Sequence, residues 1–133
     1  MPEDPKYVGL VIVSHSAALA EGLRELLEQF AGDGPSIAAA AGGPDGTLGT
    51  NAEAITAAIR RTDRGAGVAV LMDLGSAVLA ARHALADLGD GAAVLVDAPL
   101  VEGAVAAAVT ASGGAPLDAV VLAAREARHV PKL

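Results

Sequence analysis

A histidine between two serines, Ser14-His15-Ser16, is where the residue types of this chain first suggest covalent chemistry. Imidazole titrates near neutrality, so an unprotonated ring nitrogen is available as a nucleophile at cellular pH. The apolar run before it reads as a buried strand, and the segment after it reads as a helix. A helix N-terminus offers backbone amides and a positive dipole end to an anion. A carboxylate beside the ring would fix the tautomer by accepting from the other nitrogen, and Asp73, at the end of another strand, is the candidate. Such a set suits phosphoryl transfer through a phosphohistidine. A structural histidine with both nitrogens satisfied would fit the same position, and Asp73 would also serve as a strand-end turn residue.

The other chemistry-bearing residues carry less. Gly42, Gly43, Gly46 and Gly49 punctuate a loop that ends at Thr50. That loop contains neither G-x-G-x-x-G nor G-K-[ST], so it is neither a dinucleotide fingerprint nor a Walker A loop. It reads either as a connector or as a rim of backbone amides for an anion. His83 sits mid-helix beside Arg82, and His129 follows the last helix; both read as solvated surface residues. No ligand-spaced partners accompany these histidines, so no metal site is expected. The acids are scattered, so no glycosidase-like carboxylate pair stands out. With no cysteine, disulfides, thiolate catalysis and zinc-thiolate sites are excluded.

Elements that would position these residues alternate along the chain. Residues 7–13 are a Val-rich apolar run, consistent with a strand buried on both faces. From Ala17, the residues Leu19, Leu23, Leu26, Leu27 and Phe30 fall at helical spacing. Gly32 and Gly34 stop that helix, and residues 36–41 are a second, weaker strand. Thr50 and Glu53 fit a capping box, opening a helix through Ile55, Ala58, Ile59 and Thr62. Residues 67–72 form a third strand ending at Asp73. Residues 76–88 form a helix with Val78, Ala81, Leu85 and Leu88 on one face. Residues 92–96 form a fourth strand ending at Asp97. Val101, Ala104, Val105, Ala108 and Val109 mark a fourth helix, broken at Gly113-Gly114; Leu117, Val120, Val121 and Ala124 mark a fifth. Strand and helix alternate without a composition break, which predicts one α/β domain with a parallel sheet and right-handed crossovers. Ligands of such folds meet the carboxyl ends of the strands, where Ser14 to Ser16, the glycine loop, Asp73 to Ser76 and the turn after Asp97 fall.

Composition narrows the classes. The chain has 133 residues, enough for one core and too few for two. It is 53% hydrophobic but 2% aromatic, and 32 residues are Ala, so its core must be built from small aliphatic side chains. A net charge of -7, from 9 basic and 16 acidic residues, argues against a nucleic-acid binder, which needs a basic face and often stacking aromatics. One Tyr and one Phe leave little to stack on a flavin. A receiver domain would want an acidic cluster after the first strand, where Ser-His-Ser stands. Residues 1–6 have no apolar h-region, so no signal peptide is expected. No apolar run approaches the roughly 18 residues of a membrane span. We expect a cytoplasmic domain with no membrane partner.

Val11-Ile12-Val13-Ser14-His15-Ser16, followed by Leu19-Ala20-Glu21-Gly22, resembles the opening of the DhaM family. These are the phosphotransferase-system subunits that supply phosphoryl groups to dihydroxyacetone kinase, relatives of the mannose-type EIIA domains. Gly42-Gly43, Gly46, Gly49-Thr50-Asn51, Asp73-Leu74-Gly75-Ser76-Ala77 and Ala98-Pro99-Leu100-Val101-Glu102-Gly103-Ala104 follow in the family's order and span nearly the whole chain. The Asp73 and Pro99 motifs are the most discriminating; Asn51 has no assigned role.

The resemblance implies a three-layer α/β/α fold, with a central, mainly parallel four-stranded sheet in the order 2-1-3-4. It implies one EIIA-like phosphocarrier domain over residues 1–133, with residues 1–6 and 130–133 as flexible tails. His15 would accept a phosphoryl group from phospho-HPr, itself charged from phosphoenolpyruvate through enzyme I. It would pass the group to ADP on the DhaL subunit, and the ATP formed would phosphorylate dihydroxyacetone on DhaK. Asp73 would orient His15. The expected phosphate-binding set is Ser14, Ser16, Gly43, Gly49, Thr50, Gly75 and Ser76, with no metal and no cofactor. Family members are usually homodimers. Some carry fused HPr-like and enzyme I-like domains; this chain would need separate HPr. Mannose-type EIIA domains exchange a C-terminal strand between protomers, but residues 117–128 read as helix, so no such exchange is expected. The alternatives are a sugar-transporting mannose-type EIIA that donates to EIIB, and a non-enzymatic binding module of flavodoxin-like shape.

Overall fold

The structure is a computed structural model and describes residues 6–42, 50–89, 91 and 93–133. Strands and helices alternate as β1 (Gly9–Ser14), α1 (Ala17–Ala31), β2 (Ile37–Ala41), α2 (Ala52–Thr62), β3 (Val68–Met72), α3 (Gly75–Leu88), β4 (Ala93–Val96), α4 (Leu100–Ser112) and α5 (Leu117–Glu126), with a 3-10 turn at Ala127–His129. The four strands form one sheet in the order β2-β1-β3-β4, every pair parallel. This is the class that the alternation predicts and the order that the resemblance implies. Residues 117–126 are helical, as their pattern predicts.

Strand alternation sorts the core into two faces. Leu10 and Ile12 of β1, with Ala69 and Leu71 of β3, pack beneath α1, α4 and α5. Val11 and Val13, with Val68 and Val70, pack beneath α2 and α3. Every residue of β1 is buried, because helices cover both faces and strands flank both edges. Edge strand β2 alternates between buried and half-buried positions.

Helix α2 buries Ile55, Ala58, Ile59 and Thr62, and α5 buries Val120, Val121 and Ala124, as their spacing predicts, whereas α1, α3 and α4 turn inward faces that differ in part from those their largest residues suggest. In α1, Leu23 and Leu27 are buried together with Ala20 and Ala31, whereas Leu19, Leu26 and Phe30 are exposed. In α3 the buried residues are Ala77, Ala81 and Ala84; Val78, Leu85 and Leu88 lie at the flank. In α4 they are Gly103, Ala104, Ala107, Ala108 and Ala111, while Val101 and Val109 are exposed. The reason is distance. A stripe of Ala and Gly lets a helix axis come close to the sheet, and larger residues then seal the flanks. At Gly103 an added Cβ would stand 2.9 Å from Ala98 Cβ and 3.3 Å from the Ala124 carbonyl.

One cap is corrected. Helix α2 begins after Asn51, whose side-chain oxygen accepts from the amides of Glu53 (2.8 Å) and Ala54 (3.3 Å). The Thr50–Glu53 capping box is therefore not formed; Thr50 lies one residue upstream of the cap. Asn is as good an N-cap as Ser or Thr, so the adjacent Asn51 takes the role in place of Thr50. At the opposite edge of the sheet from His15, Tyr7 precedes β1 and lays its ring over Gly34, where an added Cβ would be 3.0 Å from the ring.

Candidate active site

Register brings the site together. Val13 of β1 pairs with Met72 of β3, so one step further Ser14 comes beside Asp73. The Asp73 amide donates to the Val13 carbonyl at 3.0 Å, continuing the ladder to the turn. Ser14 and Asp73 share the strand parity of Leu10, Ile12, Ala69 and Leu71. His15 has the opposite parity, that of Val11 and Val13, which faces α3.

Asp73 is the centre of the bonding. Its Oδ1 lies 3.0 Å from His15 Nδ1. Its Oδ2 accepts from the His15 backbone amide at 2.9 Å and from the Ser14 hydroxyl at 3.0 Å. The side chain of Asp73 is 10% exposed and that of His15 is 27% exposed. Burial acts to raise the Asp73 carboxyl, but the hydrogen bonds from the His15 amide, the His15 ring and Ser14, with the ring's charge, outweigh it. The group is held below its ordinary value. Asp73 is thus an ionised acceptor, and a neutral His15 must donate from Nδ1. The lone pair then sits on Nε2.

Nε2 faces the start of α3. Ser76 Oγ lies 2.8 Å from it. Helix α3 has Leu74 at its N-cap position, with no side-chain cap hydrogen bond. A helix N-terminus leaves orphan amides, and among the described residues no side chain caps these. At Gly75, the first residue of α3, none of the described residues lies within 4 Å of where a Cβ would stand. Helix α1, by contrast, is capped by Ser16, whose Oγ accepts from the Leu19 amide at 3.3 Å. The Ser16 amide in turn donates to Ser14 Oγ at 3.0 Å.

The residues singled out from sequence therefore divide. His15, Asp73, Ser14, Ser16, Gly75 and Ser76 lie together at one edge of the sheet. Gly43 and Gly49 lie outside the described residues, and Thr50 adjoins them. His83 is exposed and 3.8 Å from Asp87, and His129 is exposed in the C-terminal turn. Two features escaped sequence reading. One is the direct contact of Ser76 with the ring; the other is the engagement of the Ser14 hydroxyl with Asp73. Strand register carries both, and a single sequence does not print register. A cleft beside the site runs between the ends of β3 and β4, lined by Asp73, Leu74, Arg82, Asp97 and Ala98 among others. Among the described residues, no group of three His, Asp or Glu side chains is placed to hold a metal ion. No helix of the described residues is long and apolar enough to cross a membrane.

Comparison with known proteins places this geometry. The family profile described as the PTS system fructose IIA component matches residues 9–121. The phosphoryl donor subunit DhaM of the PEP-dependent dihydroxyacetone kinase of Escherichia coli (strain K12) is 44% identical over 126 residues, covering 90% of this chain and 27% of that protein. This chain thus spans about a quarter of that relative's length. The DhaM subunit of PEP-dependent dihydroxyacetone kinase 2 of Listeria innocua is 40% identical over 105 residues, covering 77% of this chain and 84% of that protein. The crystal structure of a protein of unknown function matches with a TM-score of 0.81 and 35% identity, over 90% of this chain and 94% of the other. With the profile matching residues 9–121 of its 133 and a DhaM subunit matched over 84% of that subunit's length, the chain belongs to the IIA-component family of the phosphotransferase system, and within it to the DhaM family.

Proposed function

We propose that this chain is the phosphoryl donor subunit of a phosphoenolpyruvate-dependent dihydroxyacetone kinase, acting as one EIIA-like carrier domain over residues 1–133. His15 is the carrier. The observation behind this reading is that His15 Nδ1 is tied to an ionised carboxylate while Nε2 faces the uncapped start of α3.

The chemistry follows from that arrangement. Nε2 attacks the phosphorus held on the histidine of phospho-HPr; the donor's N–P bond breaks as the Nε2–P bond forms. Positive charge develops on the His15 ring, and Asp73 at 3.0 Å offsets it. The incoming phosphoryl oxygens meet the first amides of α3 and the Ser76 hydroxyl, which turns from Nε2 to the new group. In the second step a β-phosphate oxygen of ADP on DhaL attacks, the Nε2–P bond breaks, and ATP forms for use on DhaK. Ser14 is wholly buried and its hydroxyl is engaged with Asp73, so in this scheme it serves the carboxylate and not the phosphate. The chain acts in the cytoplasm, as a homodimer. The names of its relatives, phosphoryl donor subunits of dihydroxyacetone kinases, favour an acceptor on that kinase over an EIIB.

Incubation with phosphoenolpyruvate, enzyme I and HPr tests the reading. Acid-labile phosphate should appear on the wild-type chain and be absent from His15→Ala. Adding DhaL with ADP should discharge it as ATP. Retained label in His15→Ala refutes the carrier assignment; discharge by an EIIB and not by DhaL refutes the acceptor.

A further inference from the structure

We propose that Ser14 is a positioning residue: its hydroxyl locks the Asp73 carboxylate in the orientation that keeps the proton on His15 Nδ1 and the lone pair on Nε2. The role deepens the proposed function and rests on it only for the rate measurements below.

Ser14 ends β1 and is fully buried. A hydroxyl has one proton to give and two lone pairs to receive. The Ser16 amide, 3.0 Å away, is a donor and occupies a lone pair. Asp73 Oδ2, also 3.0 Å away, belongs to an ionised carboxylate and only accepts. The hydroxyl proton therefore points at Oδ2, a direction imposed by the Ser16 backbone. Oδ2 takes a second proton from the His15 amide at 2.9 Å. Oδ1 is left for the ring.

This division matters because a carboxylate torsion is broad and nearly two-fold. A half-turn swaps equivalent oxygens and changes nothing, but with one donor on Oδ2 the carboxylate plane is free to tilt so that neither oxygen faces the ring squarely. Two donors from consecutive residues of one chain hold that plane. Oδ1 then stays 3.0 Å from Nδ1, and Nε2 stays 2.8 Å from Ser76 Oγ at the start of α3. Ser14 touches neither the ring nor the place a phosphoryl group would occupy; it acts through Asp73.

Four variants test this: Ser14→Ala, Ser14→Cys, Asp73→Asn and the Ser14→Ala/Asp73→Asn double. The first readout needs no phosphoryl donor. Ring 15N shifts of His15, at a pH where the ring is neutral, should report the Nδ1–H tautomer in wild type and a mixture of tautomers in Ser14→Ala. The second is transfer from phospho-HPr: Ser14→Ala should lower kcat about tenfold, as expected for loss of one hydrogen bond to a charged group, with KM for phospho-HPr unchanged. In the Asp73→Asn background the Ser14 change should add no further loss, since both act on one contact. A wild-type tautomer in folded Ser14→Ala, or losses that multiply in the double variant, would overturn the proposal. Should Ser14→Ala not fold, Ser14→Cys carries the test: a thiol of similar shape is a weak donor, so the tautomer should again be mixed. An unchanged tautomer there overturns the proposal as well. If wild type takes no phosphate from phospho-HPr while the tautomer shifts as stated, Ser14 holds its role and the carrier reading alone fails.

Discussion

The carrier role proposed for His15 asks the ring both to stay in place and to react, with two nitrogens to divide between those tasks. Here Asp73 takes Nδ1 and the start of α3 faces Nε2. Replacing Asp73 by Asn keeps the shape but allows the amide NH2 to face Nδ1, which favours the opposite tautomer. We expect Asp73→Asn to slow transfer on the order of a hundredfold or more, measured by label arriving on His15. The same carboxyl sets an acid limit. Its folded value lies below its ordinary one, about 3.9 in an unfolded chain. Its contribution to stability is thus complete above that unfolded value and is lost as pH falls through the lower folded one. Urea melts between pH 6 and pH 2.5 should show wild type losing stability below about pH 4, with this component missing from Asp73→Asn. His15 and Asp73 were legible in the sequence because each follows an apolar run that any strand reading ends there. The work of Ser14 was not, because only the pairing of Val13 with Met72 sets it beside Asp73.

Among the elements, the two helices that begin at this edge contrast in their first turns. Helix α1 satisfies its early amides through Ser16, whereas α3 begins at Leu74 and Gly75 with no side-chain cap. In the proposed function, that start of α3, without a side-chain cap among the described residues and beside His15 Nε2, receives the phosphoryl group. Capping signals were legible for α1 and misplaced by one residue for α2, since Thr50 and Asn51 are adjacent and both are good N-caps. Asn51→Ala should lower stability by about 1 kcal/mol, and Thr50→Ala should not, as read by thermal melts. Helix faces were less legible than helix positions. Of the residues that mark α1, Leu23 and Leu27 are buried with Ala20 and Ala31, whereas Leu19, Leu26 and Phe30 are exposed, and in α3 and α4 burial follows the small side chains. Close packing has its own test at Gly9, where an added Cβ would lie 2.3 Å from the Thr62 carbonyl oxygen. Gly9→Ala should cost about 1–3 kcal/mol or more, because a backbone atom must move.

For the molecule as a whole, a charge of -7 bears on encounters with partners. If the donor presents a basic face, association is steered at long range and weakens with salt. Transfer from phospho-HPr should therefore slow as ionic strength rises from about 0.01 to 0.15 M, while hydrolysis of the phosphorylated chain, which needs no partner, should not. Stopped-flow transfer and a hydrolysis time course separate the two. The alternating pattern of apolar strands and amphipathic helices was enough to give a parallel sheet with helical crossovers, whereas the strand order came from the resemblance, because alternation alone does not say which strands are neighbours. The scarcity of aromatic residues has an optical side. The chain has one Tyr and no Trp, so Tyr7, laid over Gly34 before β1 begins, dominates its ultraviolet emission. The six residues of β1 separate that fluorophore from the reactive edge by roughly 20 Å. Emission from Tyr7 should thus follow unfolding of the sheet from its far end and stay silent when His15 changes state, giving a built-in reporter that tells collapse of the fold apart from chemistry at its opposite rim.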